Sequence, residues 1–246
     1  YPNLQQVPAR DPELGPMIRS LFIPEEDCEW VCADYSQQEP RVLVHYASLK
    51  DMDTAIKVQD EFNKNEDTDF HQMVADMASI PRKQAKTINL GLFYGMGNKK
   101  LAAELGLDSD QAYELFNKYH DKVPFVKELS RQVSHVASTR GYIKTLLGRK
   151  RRFDMWEPRD SWGERAYSLS EAHSQYPKQE LKRAYTHTAM NALIQGSSAD
   201  ITKSAMIKIY EAGLLDEIDL KLTVHDELDF SVEPLKQKCF DESLQI

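Results

Sequence analysis

The stretch Leu220-Lys221-Leu222-Thr223-Val224-His225-Asp226-Glu227-Leu228-Asp229-Phe230-Ser231-Val232 decides the fold class. Apolar residues alternate at positions 220, 222 and 224 and again at 228, 230 and 232. That period of two marks strands with one buried face. The alternation is interrupted by His225-Asp226-Glu227, so the stretch predicts an antiparallel hairpin whose tip carries carboxylates.

Working outward, Glu29-Trp30-Val31-Cys32-Ala33 reads as a short buried strand that delivers Asp34 at its end. Ser36-Gln37-Gln38-Glu39 matches a capping box, with Pro40 tolerated in the first turn of the helix that follows. From Asp69 to Ala78, Phe70, Met73, Val74 and Met77 fall at helical spacing and place His71 on an amphipathic helix. Pro81 suits the start of another helix, running through Leu92 until Gly95-Met96-Gly97 ends it. Residues 101–136 read as further helix with a break near Pro124, and 184–212 as strongly helical. Between them, 154–179 is polar, holds Pro158, Gly163 and Pro177, and reads as a long loop or insertion. A few antiparallel strands among many helices make an α+β pattern.

With 246 residues, the chain can bury one large domain or two small ones. Hydrophobic residues at 41% and charged residues at 28% are an ordinary globular balance. No apolar run approaches the roughly 20 residues that cross a bilayer, so no membrane partner is expected. No charged segment followed by an apolar stretch reads as a signal peptide. Cys28, Cys32 and Cys239 are odd in number and form no CxxC pair, which points to free thiols in a reducing compartment and not to a zinc site. The chain opens at Tyr1 without methionine and stops at Ile246 in a helix-like stretch, as an excised piece would.

The net charge of −8 argues mildly against a nucleic-acid partner. Basic residues nevertheless cluster, at Arg82, Lys83 and Lys86, at Arg149 to Arg152, and at Lys178, Lys182 and Arg183. Such patches are either solvated faces or surfaces that meet a phosphate backbone while the rest stays acidic.

Asp34 and Asp226 each stand at a strand end, 192 positions apart. Magnesium takes oxygen ligands, and two such acids from separate strands could hold two ions roughly 3.5–4 Å apart. Taken singly, an Asp after a strand is equally a turn residue. Arg82, Lys86, Leu90 and Tyr94 are spaced four apart and form one stripe from cation through apolar to aromatic. The stripe suits a nucleotide whose triphosphate meets the cations; it also suits an amphipathic helix with a basic start. A basic first turn opposes the helix dipole and wants a reason such as bound phosphate.

Five stretches together resemble the family A DNA polymerases, the group of bacterial DNA polymerase I and many phage replicases. They are Pro2-Asn3-Leu4-Gln5-Gln6-Val7-Pro8-Ala9-Arg10; Asp34-Tyr35-Ser36-Gln37-Gln38-Glu39-Pro40-Arg41; Arg82 through Gly95; Asn191-Ala192-Leu193-Ile194-Gln195-Gly196; and Val224-His225-Asp226-Glu227-Leu228. The resemblance implies a right-hand polymerase, with palm parts at 1–45 and 181–246, helical fingers at 46–180, and the thumb and exonuclease domains absent. It implies a template-directed DNA polymerase that joins deoxynucleoside triphosphates to a primer on primer-template DNA, using two Mg2+ ions.

By the same resemblance Asp34, Asp226 and Lys86 are catalytic, and Asp34, the Tyr35 carbonyl, Asp226 and Glu227 hold the metals. Gln37, Glu39, His71, Arg82, Lys86, Leu90 and Tyr94 contact the nucleotide, with Lys86 protonating the pyrophosphate and Glu39 excluding a 2′-hydroxyl. Asn3, Gln5, Arg10, Asn191, Gln195 and His225 contact the primer-template minor groove, whose acceptors vary little with sequence. Glu39 also fits the capping-box role, and Glu227 that of a solvent-facing turn acid.

Leu90 stands where the best-known members carry an aromatic residue. His71 and Arg82 are 11 apart, as in phage members rather than bacterial ones, and 154–179 has no counterpart. A phage or viral origin, with work in the bacterial cytoplasm, follows as an expectation. A related single-subunit RNA polymerase, or a non-catalytic primer-template binding fragment, is the alternative; a processivity partner is not legible.

Overall fold

A computed structural model describes residues 11–93, 96–160 and 163–244. In chain order the elements are α1 (Leu14–Arg19), β1 (Glu29–Asp34), α2 (Gln38–Ser48), α3 (Asp53–Lys64), α4 (Phe70–Ala78), α5 (Arg82–Phe93), α6 (Asn98–Leu105), α7 (Ser109–Lys122) and α8 (Pro124–Arg140). They continue with β2 (Tyr142–Lys144), β3 (Lys150–Arg152), β4 (Met155–Pro158), β5 (Tyr167–Ser168), α9 (Leu169–Gln175), β6 (Leu181–Arg183), α10 (Ala189–Glu211), β7 (Asp219–Val224), β8 (Glu227–Val232) and α11 (Gln237–Ser243). The mixture of helices with small antiparallel sheets is α+β, as the sequence pattern predicts. The chain divides into two compact units, Tyr1–Gln38 with Ser198–Ile246, and Glu39–Ser197.

The smaller unit is organised on a three-stranded antiparallel sheet in the order β1-β8-β7. Strand β8 lies in the middle, and every residue of it after Glu227 is buried. Leu228, Phe230 and Val232 form a core with Ile209, Ile218 and Phe240. Each such apolar side chain contributes about 1.5–3 kcal/mol on full burial, which makes a one-residue slip of register costly. A bulge between Leu220 and Leu222 leaves Lys221 outside the ladder, where its ammonium pairs with Glu25 and with Asp219 at 2.9 Å.

The larger unit is mainly helical. Asp69 caps α4, its carboxylate accepting from the main-chain N–H of His71 at 2.9 Å and of Gln72 at 3.0 Å. Phe70, Ile88, Tyr119 and Phe125 are fully buried among α4, α5, α7 and α8. Pro124 opens α8 at its first turn, the break expected there.

Four local expectations are corrected. Residues 154–179 are not a loop: β4 pairs with both β5 and β6, and Ser168 and Glu171 form a capping box at the start of α9. The strands are too short and polar to alternate visibly, and a cation holds them instead. The Arg183 guanidinium lies 4.5 Å from the Trp156 ring and donates to the Phe153 carbonyl at 2.8 Å. It also fills the space beside Gly141, where a Cβ would come within 2.6 Å of it and where φ is +77°.

Second, α2 starts later than the predicted capping box requires. Gln37 is left-handed at φ 53°, α2 begins only at Gln38, and Glu39 therefore sits one position early. Third, the helix predicted over 101–136 is interrupted before Pro124 as well, because Gly106 at φ +64° ends α6. Fourth, 184–188 is not α-helical, since Tyr185 is left-handed at φ 60° and α10 begins at Ala189.

Candidate functional site

In the smaller unit the β1–β8 ladder sets Asp34 directly opposite Glu227, and Cys32 opposite Asp229. Residues two apart on a strand share a face, so these four side chains line one side of the sheet. Val224 and Glu227 pair across β7 and β8, which leaves His225 and Asp226 as a two-residue turn. His225 takes φ 57°, the positive angle that lets such a turn follow the sheet's twist. The Tyr35 N–H reaches back to the Asp226 carbonyl at 3.3 Å and closes the end of the sheet.

The acids are crowded. Partial burial, and then the charge of Asp226, push the Asp34 carboxyl above its usual range. Burial and the neighbouring Asp229 do the same to Glu227. Ligand atoms of Cys32, Glu227 and Asp229 lie within 4.8 Å of one another, and Asp229 Oδ1 is buried without a hydrogen-bond partner. Sequence reasoning overlooked Asp229 and Cys32; the strand register that brings them beside Glu227 was the available signal. Hard carboxylate oxygens that repel one another, with one orphaned beneath them, fit a divalent cation.

In the larger unit His71 stands on α4 and Arg82 and Lys86 on α5. The three are electrostatically linked: burial lowers the His71 pKa, Asp69 raises it, and Lys86 and then Arg82 lower it further. Arg82 also has a partner in the fold, pairing with Asp69 Oδ2 at 2.6 Å. Burial disfavours the Asp69 charge, but hydrogen bonds from Gln72 N and Arg82 outweigh it and hold the carboxyl below its usual range. The basic first turn of α5 thus has an anion beside it already, so part of the reason it wants lies within the fold. Lys86 is exposed and has no ion pair among the described residues.

The His71 ring faces Asn89, with Nδ1 2.9 Å from the amide nitrogen, and the Tyr119 hydroxyl donates to Asn89 Oδ1 at 2.7 Å. Neither partner was singled out from the sequence. Leu90 is half-buried on α5 and Glu39 lies in the first turn of α2. Asn191 and Gln195 lie one turn apart on α10, with Gln195 exposed and Asn191 Oδ1 buried and unpartnered, an acceptor in want of a donor. Asn3, Gln5, Arg10 and Tyr94 lie outside the described residues.

Residues 1–245 match the family model described as DNA polymerase family A. The chain belongs to that family. A DNA-directed DNA polymerase of Pseudomonas phage M6 is 40% identical over 278 residues, covering 96% of this chain and 38% of the phage protein. DNA polymerase I of Rhizobium leguminosarum is 34% identical over 246 residues, covering 94% of this chain and 22% of that protein. Among solved structures, the POL domain of Pol1 from M. smegmatis, in complex with DNA primer-template and dNTP, aligns with a TM-score of 0.74. The alignment has 31% identity and covers 99% of this chain and 40% of that one. The chain therefore spans well under half the length of these family A relatives. Divalent metals are general to family A polymerases. Among the described residues no helix is long and apolar enough to cross a membrane.

Proposed function

We propose that this chain is the polymerising core of a template-directed DNA polymerase, adding deoxynucleoside monophosphates to a primer 3′-hydroxyl on primer-template DNA. The observation that carries the reading is Asp34 set opposite Glu227, with Asp226 in the turn between strands, in a chain matched by the family A model over residues 1–245. We assign residues 1–45 and 181–246 to the palm and 46–180 to the fingers. Its work belongs, on this reading, to a bacterial cytoplasm, which the phage and bacterial relatives support.

Asp34 and Asp226 would hold two Mg2+ ions, with the Tyr35 carbonyl and Glu227 assisting. Bound there, the ions would supply Lewis-acid polarisation. His71, Arg82 and Lys86 hold the triphosphate. Arg82 can serve Asp69 and a phosphate at once because a guanidinium carries five N–H donors. The bond from the primer oxygen to the α-phosphorus forms as the bond to the β-phosphate oxygen breaks, and Lys86 gives its proton to the departing pyrophosphate. The hydroxyl proton passes to water. Gln37, Leu90 and Tyr94 border the nucleotide, and Glu39 occupies the space of a 2′-hydroxyl. Asn3, Gln5, Arg10, Asn191, Gln195 and His225 grip the minor groove.

Primer extension with dNTPs or NTPs and Mg2+ tests this reading. Magnesium-dependent growth with dNTPs alone supports it. Growth with NTPs would make the protein an RNA polymerase, and tight primer-template binding without growth would make it a binding module.

A further inference from the structure

We infer that Asn89 and Tyr119 are positioning residues that hold His71 as its Nε2–H tautomer, a neutral donor aimed at nucleotide phosphate. The inference rests on the reading of His71 as a triphosphate ligand and adds what fixes its proton.

All three side chains are buried, with Tyr119 and Asn89 fully so and His71 7% exposed. Among the described residues, the Tyr119 hydroxyl has one hydrogen-bond partner, Asn89 Oδ1 at 2.7 Å. A buried hydroxyl proton needs an acceptor, and the amide oxygen is the one present. That orients the Asn89 amide. Its nitrogen, which carries only donors, must then face His71 Nδ1 at 2.9 Å. Nδ1 has to offer a lone pair, so the proton of the neutral ring sits on Nε2.

The opposite orientation would turn the amide N–H groups toward Tyr119 and leave the tyrosine proton without an acceptor. A doubly protonated ring would set N–H against N–H. Burial, Lys86 and Arg82 also oppose the imidazolium, and of the charged groups acting on the ring Asp69 alone favours it. Three helices, α4, α5 and α7, each supply one member, so the direction of the Nε2–H bond is set by their packing. A polyanion gains most from donors already oriented before it arrives.

The test begins with 15N-histidine-labelled protein, with the His71 ring resonances assigned by their loss in His71→Gln. We expect wild-type His71 protonated at Nε2 at neutral pH. Tyr119→Phe keeps the ring volume and releases the amide to turn over, so the proton should move toward Nδ1. The dissociation constant for dNTP on protein bound to primer-template should then rise about tenfold, the size of one hydrogen bond to a charged group, with little change in maximal rate.

Wild-type His71 protonated at Nδ1 would overturn the inference without any variant. So would a tautomer unmoved by Tyr119→Phe, or a moved tautomer with unchanged nucleotide affinity while His71→Gln weakens it. If His71→Gln itself leaves affinity unchanged, the triphosphate reading of His71 fails instead, and the spectra still decide the tautomer.

Discussion

At the tip of the β7–β8 hairpin, Asp34, Asp226 and Glu227 crowd together, and among the described residues no lysine or arginine is bonded to them. At the start of α5 the opposite holds, because the Arg82 guanidinium rests on Asp69, a carboxylate that also caps α4. One region keeps its like charges unrelieved and the other relieves part of its charge internally. Uncompensated charge is costly to fold, so where it persists a ligand is the usual reason. The basic helix gives a weaker signal, and Lys83 and Lys86 there have no ion pair among the described residues.

The largest effect should break the acidic side of this contrast. Asp34→Asn or Asp226→Asn should drop primer extension below detection while DNA binding holds. Asp34→Asn should also raise the melting temperature in metal-free buffer, because it removes a repelled charge. A lower melting temperature would mean that the acids support the fold and do not strain it.

On the basic side, Lys86→Ala should raise the dNTP requirement and lower the maximal rate, the latter by on the order of 10²-fold. Arg82→Ala should act mainly on one of the two, and also remove a half-exposed ion pair worth about 0–1 kcal/mol to stability. Single-turnover kinetics beside urea unfolding separates the terms, and equal kinetic losses for the two would erase the distinction between the paired and the unpaired cation.

Next comes Glu39. With Glu39 at the second position of α2 rather than the third, Glu39→Ala should change stability little, yet relax discrimination against ribonucleotides by on the order of tenfold. Glu39→Gln should keep most of it, because the amide fills most of the same space. The ratio of catalytic efficiencies for matched ribo- and deoxynucleotides is the measurement, and an unchanged ratio in Glu39→Ala would reopen the RNA polymerase alternative.

The smallest effect is a pH dependence of opposite sign in the two regions. In the larger unit His120 packs 4.3 Å from the Phe116 ring, and burial, then Lys127, hold its pKa down to about 4. The unfolded chain then binds the extra proton first, so stability should decline as pH falls from about 6.5 toward about 4. Asp34 and Glu227 have raised pKa values and contribute the reverse: their stabilisation is present in acid and is lost as pH rises. His120→Phe should flatten the acid decline by a few degrees of melting temperature. A decline unchanged by that substitution would put its origin elsewhere.

How much of this was legible depends on what holds each part. The hairpin at 220–232 was readable because its apolar residues alternate, although β8 proves buried on both faces, and α4 because Asp69 and its apolar spacing mark both cap and face. The β5-β4-β6 sheet was not, because its strands have two to four residues and depend on Arg183 reaching across sequence to Trp156. The left-handed turn at Gln37 hid the true start of α2, since nothing in a glutamine announces positive φ. Within the site, the motifs marked His71, Arg82 and Lys86, but Asn89 and Tyr119 join His71 across 18 and 48 residues, and no local pattern encodes such a link.

The pairing of Asp34 with Glu227 also sets a schedule for the protein's birth. A ribosome adding about 5–20 residues per second needs roughly 10–40 s to pass from one to the other. Throughout that interval β1 has emerged without the strand that completes its sheet, and its edge is open to any other extended chain. Nascent copies on neighbouring ribosomes are thus each other's nearest hazard. The acidic cluster itself is assembled only once the sequence has been read past Glu227.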